Sequence, residues 1–350
     1  MPGIANLEVV CLHTGYAWRD LMPEQEMSDN FAQWVARISD PQGNKLTWGN
    51  RETNQCVVTV ATGYPANLLR PLVNSLREHS NAHLVIAAHA DSGFEQVFAD
   101  QDVTIFPVSE STGYRPYPAL ARLEYYLEIL KHMPSGIEQL LLVDSRDVVF
   151  QADPFDGLPQ NDLTVFAENN DTSSWTLRTI NGRWAWAMLP GALRKSLKGK
   201  PIVNGGVIAG TPAGIERMCR AKLNIALTTH EWTKHTTGLD NISTNLIAHS
   251  RMAGSCEAVP NHEFVANVYR GTDMVIDPDG AIRVRNGKAC PVVHMYDRQA
   301  ALLAHVNQRY GVLADTSMVV SQDRSVGKSQ PFAGLVHWLK LARIYMVGHA

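Results

Sequence analysis

Hydrophobic and polar positions along the chain fall into three regimes. Residues 1–54 mix the two without period and are broken by polar turns such as Asp40-Pro41-Gln42-Gly43. They read as an N-terminal extension packed on a main domain. From Cys56 the pattern sharpens. CVVTVATG (56–63) is an apolar run closed by glycine, which predicts a buried strand and a turn. Pro65 suits a helix start, and Leu68, Leu69, Leu72, Val73 and Leu76 share one helical face up to His79. HLVIAAH (83–89) and VTIFPV (103–108) are further strands. Between Pro118 and Lys131, Leu120, Leu123, Leu127 and Leu130 form a helical stripe. LLLVDSRDVVFQADPF (140–155) then begins as a strand and runs to a turn at Asp153-Pro154.

Strands alternating with helices predict an α/β fold with a Rossmann-like, doubly wound, mostly parallel sheet flanked by helices. Such sheets bind ligands outside the carboxyl ends of their strands. Thr62, Gly63 and Tyr64 after the first strand, and Asp144 after the fourth, therefore belong to one crevice. The second half is less regular. LTVFAEN (163–169) and IVNGGVIAG (202–210) read as strands, and a helix follows from Pro212. Residues 170–200 carry Trp175, Trp184 and Trp186 and read as rich in loops. GLDNISTNLIAHS (238–250) is a loop entering a helix. PVVHMYDR (291–298) is a short strand delivering His294, and Gln299 to Tyr310 is helical. The predicted core domain is 55–312. Residues 313–350 form a polar segment followed by an amphipathic helix, FAGLVHWLKLARIYMVGHA. That helix suits a membrane surface, the domain itself or a second subunit.

Composition narrows the classes. The chain has 350 residues, 45% hydrophobic and 19% charged, with net charge -3, so nothing in its overall charge favours nucleic acid. The five cysteines (Cys11, Cys56, Cys219, Cys256, Cys290) are scattered and form no CxxC pair. A disulfide framework and a structural zinc site are not expected, and a reducing compartment is. With no secretory leader pattern at the N-terminus and no apolar run of spanning length, the expectation is a cytoplasmic protein, peripheral at the inner membrane surface if the C-terminal helix binds lipid.

Five groups carry candidate chemistry, each with a plainer reading beside it. Asp144 and Asp147 follow an apolar strand, as acids that hold a divalent cation do, or simply cap the next turn. His294 ends a strand; a lone histidine there is more often structural, but with the acids it makes a manganese site. Asn204-Gly205-Gly206 places two glycines in a strand, for close approach of a ligand or for a bulge. Asp240, beside Asn241, is either a helix N-cap or a partner for hydroxyl groups. Arg122 is a solvated helix charge or a bidentate diphosphate ligand. Gly327-Lys328-Ser329 is set aside as a P-loop, because position 322 is Gln and no strand precedes it.

In their order along the chain, CVVTVATGYPANLLRPLVNSL, ARLEYYLEIL, LLLVDSRDVVFQADPF, VNGGVIAGT, GLDNISTNL and VVHMYDR resemble nucleotide-sugar-dependent glycosyltransferases of the GT-A fold. The resemblance covers about Cys56 to Arg298. It implies Mn2+ or Mg2+ on Asp144, Asp147 and His294, and a UDP- or GDP-sugar donor near Thr62, Gly63, Tyr64, Arg122, Asp144, Gly205 and Gly206. Asn204 and Asp240 take the place of catalytic or donor-sugar contacts. The acceptor implied is a glycan, a lipid-linked molecule or another hydroxyl compound, and the NGG and loop-Asp arrangement is more similar to retaining families. The family's acids are spaced Asp-x-Asp; here the spacing is Asp-Ser-Arg-Asp, which leaves open which oxygen binds the ion. That departure also admits a non-catalytic module binding nucleotide sugar or glycan. A sugar nucleotidyltransferase ranks third, because ATGYPANLLR lacks a glycine-rich basic loop.

Overall fold

The computed structural model describes residues 48–49, 51–63, 65–89, 93–108, 118–169, 175–177, 179–233, 238–269 and 271–312. The expectations for residues 1–47, for Tyr64 and for the C-terminal helix lie outside the described residues.

Seven strands form the central sheet: β1 (Gln55–Val60), β2 (His83–His89), β3 (Thr104–Val108), β4 (Gln139–Val143), β6 (Leu163–Asn169), β7 (Ile202–Gly210) and β8 (Cys256–Val259). Their order is β3-β2-β1-β4-β7-β6-β8. Pairings within β3-β2-β1-β4 and between β6 and β8 are parallel, whereas β7 runs antiparallel to both β4 and β6. The mostly parallel α/β sheet read from the sequence is present, with one reversed strand, β7, in its interior. That reversal sets the start of β7 beside the end of β4.

The strands read as unbroken apolar runs because helices or a second sheet cover both faces. Val57, Leu84, Ile86, Leu141 and Val143 face one core, and Cys56, Val58, Val85, Leu140 and Leu142 face the other. The first core takes Leu69 and, from α1 (Arg70–His79), Leu72, Val73 and Leu76. The second takes Leu123 and Leu127 from α3 (Pro118–Lys131) and Ile215, Met218, Cys219 and Leu223 from α6 (Pro212–Thr233). Each such side chain contributes about 1.5–3 kcal/mol of burial. Pro65 precedes a 3-10 turn, Ala66–Leu69, rather than the α-helix itself. α2 (Phe94–Val97) is a single turn.

A smaller sheet lies beside the first core. β5 (Val148–Phe150) pairs antiparallel with β12 (Val292–His294), which pairs parallel with β9 (Val265–Asn267). β10 (Met274–Ile276) and β11 (Ile282–Val284) form a hairpin, and α8 (Ala300–Tyr310) closes a third core with Val149, Val293 and Tyr296. Residues 175–200 differ from the loop-rich expectation: they hold α4 (Ile180–Met188) and α5 (Gly191–Leu197). Both helices are short, and tertiary contact holds them. Trp175 Nε1 donates to Lys200 O at 2.8 Å, and the Trp184 ring packs so closely on Gly238 that a Cβ there would collide with it. No helix among the described residues is long and apolar enough to cross a membrane.

Candidate metal centre

The two acids reach the site from different sheets. β4 ends at Val143, and the Asp144 amide donates to Gly206 O at 2.7 Å, which fixes Asp144 at the edge of the central sheet. Ser145 and Arg146 bend the chain away, and Asp147 directly precedes β5 of the small sheet. The longer Asp-Ser-Arg-Asp spacing is thus the length needed to change sheets. Three contacts clamp this bend to the segment after β12. Met295 donates its amide to Asp147 O at 2.7 Å, and Tyr296 Oη donates to Arg146 O at 2.8 Å. Arg146 Nη2 meets Asp297 Oδ2 at 3.0 Å. His294 pairs in register with Val148, the residue after Asp147, and its Nε2 comes within 3.8 Å of Asp147 Oδ1.

The outcome is one cluster. Potential ligand atoms of Asp144, Asp147 and His294 all lie within 4.8 Å of one another. His294 Nε2 is 3.6 Å from Asp144 Oδ2 and 3.8 Å from Asp147 Oδ1. It is buried and has no hydrogen-bond partner. Its other ring nitrogen, Nδ1, sits 2.7 Å from Asn267 Oδ1. Asn267 Nδ2 donates to Ala167 O at 2.9 Å, so Oδ1 is the accepting end and Nδ1 carries the proton. In the neutral ring this turns the Nε2 lone pair toward the two carboxylates, the arrangement a histidine ligand requires. Asn261 in turn accepts from the Asn267 amide at 2.9 Å and donates to Glu168 O at 3.0 Å.

The charges tell the same story. Burial pushes the Asp147 carboxyl up to about 6; His294 partly opposes this and Asp144 adds to it. Burial would also raise Asp144, but the neighbouring His294 and the charge of Arg122 hold it well below the usual carboxylate range. Burial would lower His294, yet Asp147 and Asp144 raise it above its ordinary value. Without a cation, protonated His294 and Arg122 balance the two acids, with a proton on Asp147 below about pH 6; a hard divalent ion can take the place of the protons, on two carboxylate oxygens and one imidazole.

The glycines of β7 are a consequence of this crowding. A Cβ on Gly206 would fall 2.5 Å from His294 Nε2 and 2.6 Å from Asp144 Oδ2, and one on Gly205 would fall 2.9 Å from Asp240 Oδ2. The plainer reading of the motif is present, since the β6–β7 register jumps from Val165↔Ile208 to Phe166↔Asn204, a bulge on β7. The Asn204 side chain closes the bulge by accepting from the Gly206 amide at 2.6 Å.

Arg122, from α3, links the metal cluster to α7 (Leu239–Ser250). Its Nη1 donates to Asp144 Oδ1 at 2.8 Å and its Nη2 to Asp240 Oδ2 at 2.5 Å and Gly205 O at 3.3 Å. It is not a solvated helix charge. Asp240 is not the N-cap of α7, a place taken by Gly238. Its second oxygen accepts from Lys222 Nζ at 2.7 Å. Burial would raise Asp240, but Arg122 and Lys222 together lower it. Thr62 and Gly63 lie at the carboxyl end of β1, on the strand adjoining β4, with Gly63 at φ 80°.

Sequence reading did not single out Lys222, Glu168, Asn245, Asn261 or Asn267. Lys222 left a trace: it falls on the buried stripe Ile215, Met218, Cys219, Leu223 of α6, where a lysine is out of place. Glu168, at the end of β6, is held by Asn241, Asn204 and Asn181, and burial raises it above the ordinary glutamate value. Asn245 clamps α7 to β7, accepting from Val203 N at 2.8 Å and donating to Val203 O at 2.9 Å. Asparagines of this kind look like surface residues until the strands they bridge are known.

Comparison with known proteins finds no matching family model and no matching curated protein.

Proposed function

We propose that the chain is a divalent-metal-dependent glycosyltransferase that moves a sugar from a nucleoside diphosphate to a hydroxyl acceptor. The observation that carries the reading is the buried Nε2 of His294, which makes no hydrogen bond and faces Asp144 and Asp147. Its setting supports it. The site lies at the carboxyl end of β4 with Arg122 alongside, where open α/β sheets bind ligands. The order of motifs resembling GT-A enzymes supplies the reaction class, which a metal cluster alone does not.

On this reading Asp144, Asp147 and His294 hold Mn2+ or Mg2+, which would neutralise the charge that builds on the leaving diphosphate. The remaining work falls to the chain's own groups. Arg122 presents fixed donors beside Asp144, where that charge develops. Gly205 and Gly206, lacking Cβ atoms, leave room for Asp240, His294 and Asp144 to meet at the site. Asn204, Asn241 and Glu168 offer amide and carboxyl groups to sugar hydroxyls. Asp240, held ionised between two cations, anchors Arg122 and is poorly placed to act as a base near neutral pH.

A second reading has one observation in its favour. Arg122 already has both Nη atoms bonded to the protein's own acids, which suits a module that binds a nucleotide sugar or glycan without turning it over. A thermal-shift screen of UDP- and GDP-sugars with and without Mn2+ tests the donor assignment. Metal-dependent stabilisation by one donor is expected, and no response to any donor would overturn it. Binding with neither transfer nor donor hydrolysis would favour the module.

A further inference from the structure

We infer that Lys222 is a positioning residue for this site: through Asp240 it sets how Arg122 is shared between Asp240 and the metal-facing Asp144. The inference rests on the metal-site reading for its functional meaning, but its geometry stands without a metal. Four groups alternate in sign along one line. Lys222 Nζ meets Asp240 Oδ1 at 2.7 Å, Arg122 Nη2 meets Asp240 Oδ2 at 2.5 Å, and Arg122 Nη1 meets Asp144 Oδ1 at 2.8 Å.

The lysine side chain is 1% exposed and the Asp240 side chain 13%, so water does not replace either partner readily. A buried carboxylate that loses one partner takes whatever donors remain. With Lys222 removed, the nearest donor is the guanidinium of Arg122, whose fork suits both carboxylate oxygens at once. Asp240 then draws Arg122 to itself and away from Asp144. Lys222 prevents this by occupying Asp240 Oδ1, which leaves Arg122 one nitrogen for each acid. Thr244 Oγ and Ser243 Oγ donate to the Asp240 backbone carbonyl, not to its carboxylate, so they do not substitute for Lys222.

The test begins with metal-free crystals. In Lys222→Met, Asp240 should turn onto Arg122 and the 2.8 Å contact to Asp144 should be lost, with Lys222→Arg keeping the native arrangement. An unchanged Arg122–Asp144 contact in Lys222→Met would overturn the inference. Calorimetric titration of Mn2+ alone adds a sign that general damage to the fold does not produce. Lys222→Met should tighten Mn2+ binding by roughly threefold, because Asp144 is relieved of a cation, and Asp240→Asn should weaken it by roughly threefold as Arg122 moves onto Asp144. In an Arg122→Gln background the Lys222→Met effect should vanish; persistence there would mean simple long-range charge and would also overturn the inference. If Lys222→Met does not fold, Asp240→Asn decides by itself, and unchanged or tighter Mn2+ binding in that variant counts against the proposal. If the unaltered protein binds no Mn2+, the metal-site reading fails, and the metal-free crystals still decide the role of Lys222.

Discussion

His294 and Asp240 stand on either side of Asp144 and are built in opposite ways. His294 is fixed from behind by neutral amides, Asn267 and then Asn261, and its forward nitrogen faces two carboxylates without a hydrogen bond to either. Asp240 has a cation on each oxygen. One half of the site is therefore incomplete by itself, and the other is saturated. The contrast separates the part that receives a ligand from the part that holds its neighbours in place. Buried ionic groups are expensive unless paired, so the incomplete half is the one that needs a functional explanation.

The largest test of that contrast is removal of a ligand from the incomplete half. Asp147→Ala should abolish metal-dependent transfer and weaken Mn2+ binding by more than about 100-fold, since even groups behind the ligands change affinity by 10–100-fold. The fold should remain intact by circular dichroism, and full activity in this variant would remove Asp147 from the site. Gly206→Ala comes next. The added methyl collides with His294 and Asp144, so Mn2+ binding should fall severely while overpacking costs about 1–3 kcal/mol of stability. Calorimetry and thermal melting separate the two effects.

Asn267→Ala probes the support behind His294. It leaves all three ligands in place but frees the Nδ1 proton, and Mn2+ affinity should drop by about 10–100-fold. Unchanged affinity would show that the ring needs no such support. The last test is pH, whose effect is the smallest near neutrality. The ion requires Asp147 ionised and His294 neutral, whereas in the metal-free protein both hold protons more tightly than usual. Mn2+ affinity should thus be lost as pH falls through about 6, where Asp147 titrates, at a slope of about tenfold per pH unit for each proton displaced. The metal-free protein has the opposite sign for Asp147: its raised pKa means that folding is favoured by protonation, so this group's destabilisation is present above about pH 6 and is relieved below it. Melting temperatures with and without Mn2+ across this range should show the two trends diverging.

The sheet and the incomplete half of the site were legible because both are written locally. Apolar runs ending at Gly63 and Asp144 mark strand ends, and strand ends mark the ligand edge of an α/β sheet. The saturated half was less so. Asp240 read as a helix cap or a partner for hydroxyl groups, not as an ion-pair hub, because its partners, Arg122 and Lys222, are 118 and 18 residues away in sequence. The reversal of β7 was invisible as well, since a strand buried on both faces carries no sign of its direction. That reversal is what delivers Gly206 to Asp144 and makes sense of the two glycines. α4 and α5 escaped notice because nine- and seven-residue helices that each contain a glycine show little period.

The central claim is that Asp144, Asp147 and His294 bind one divalent cation between them. Anomalous scattering from crystals soaked in Mn2+ addresses it directly. A single strong peak within ligating distance of His294 Nε2 and of an oxygen from each carboxylate is the result predicted. Saturating Mn2+ with no peak there, and with His294 still facing the acids as a protonated ring, would contradict it.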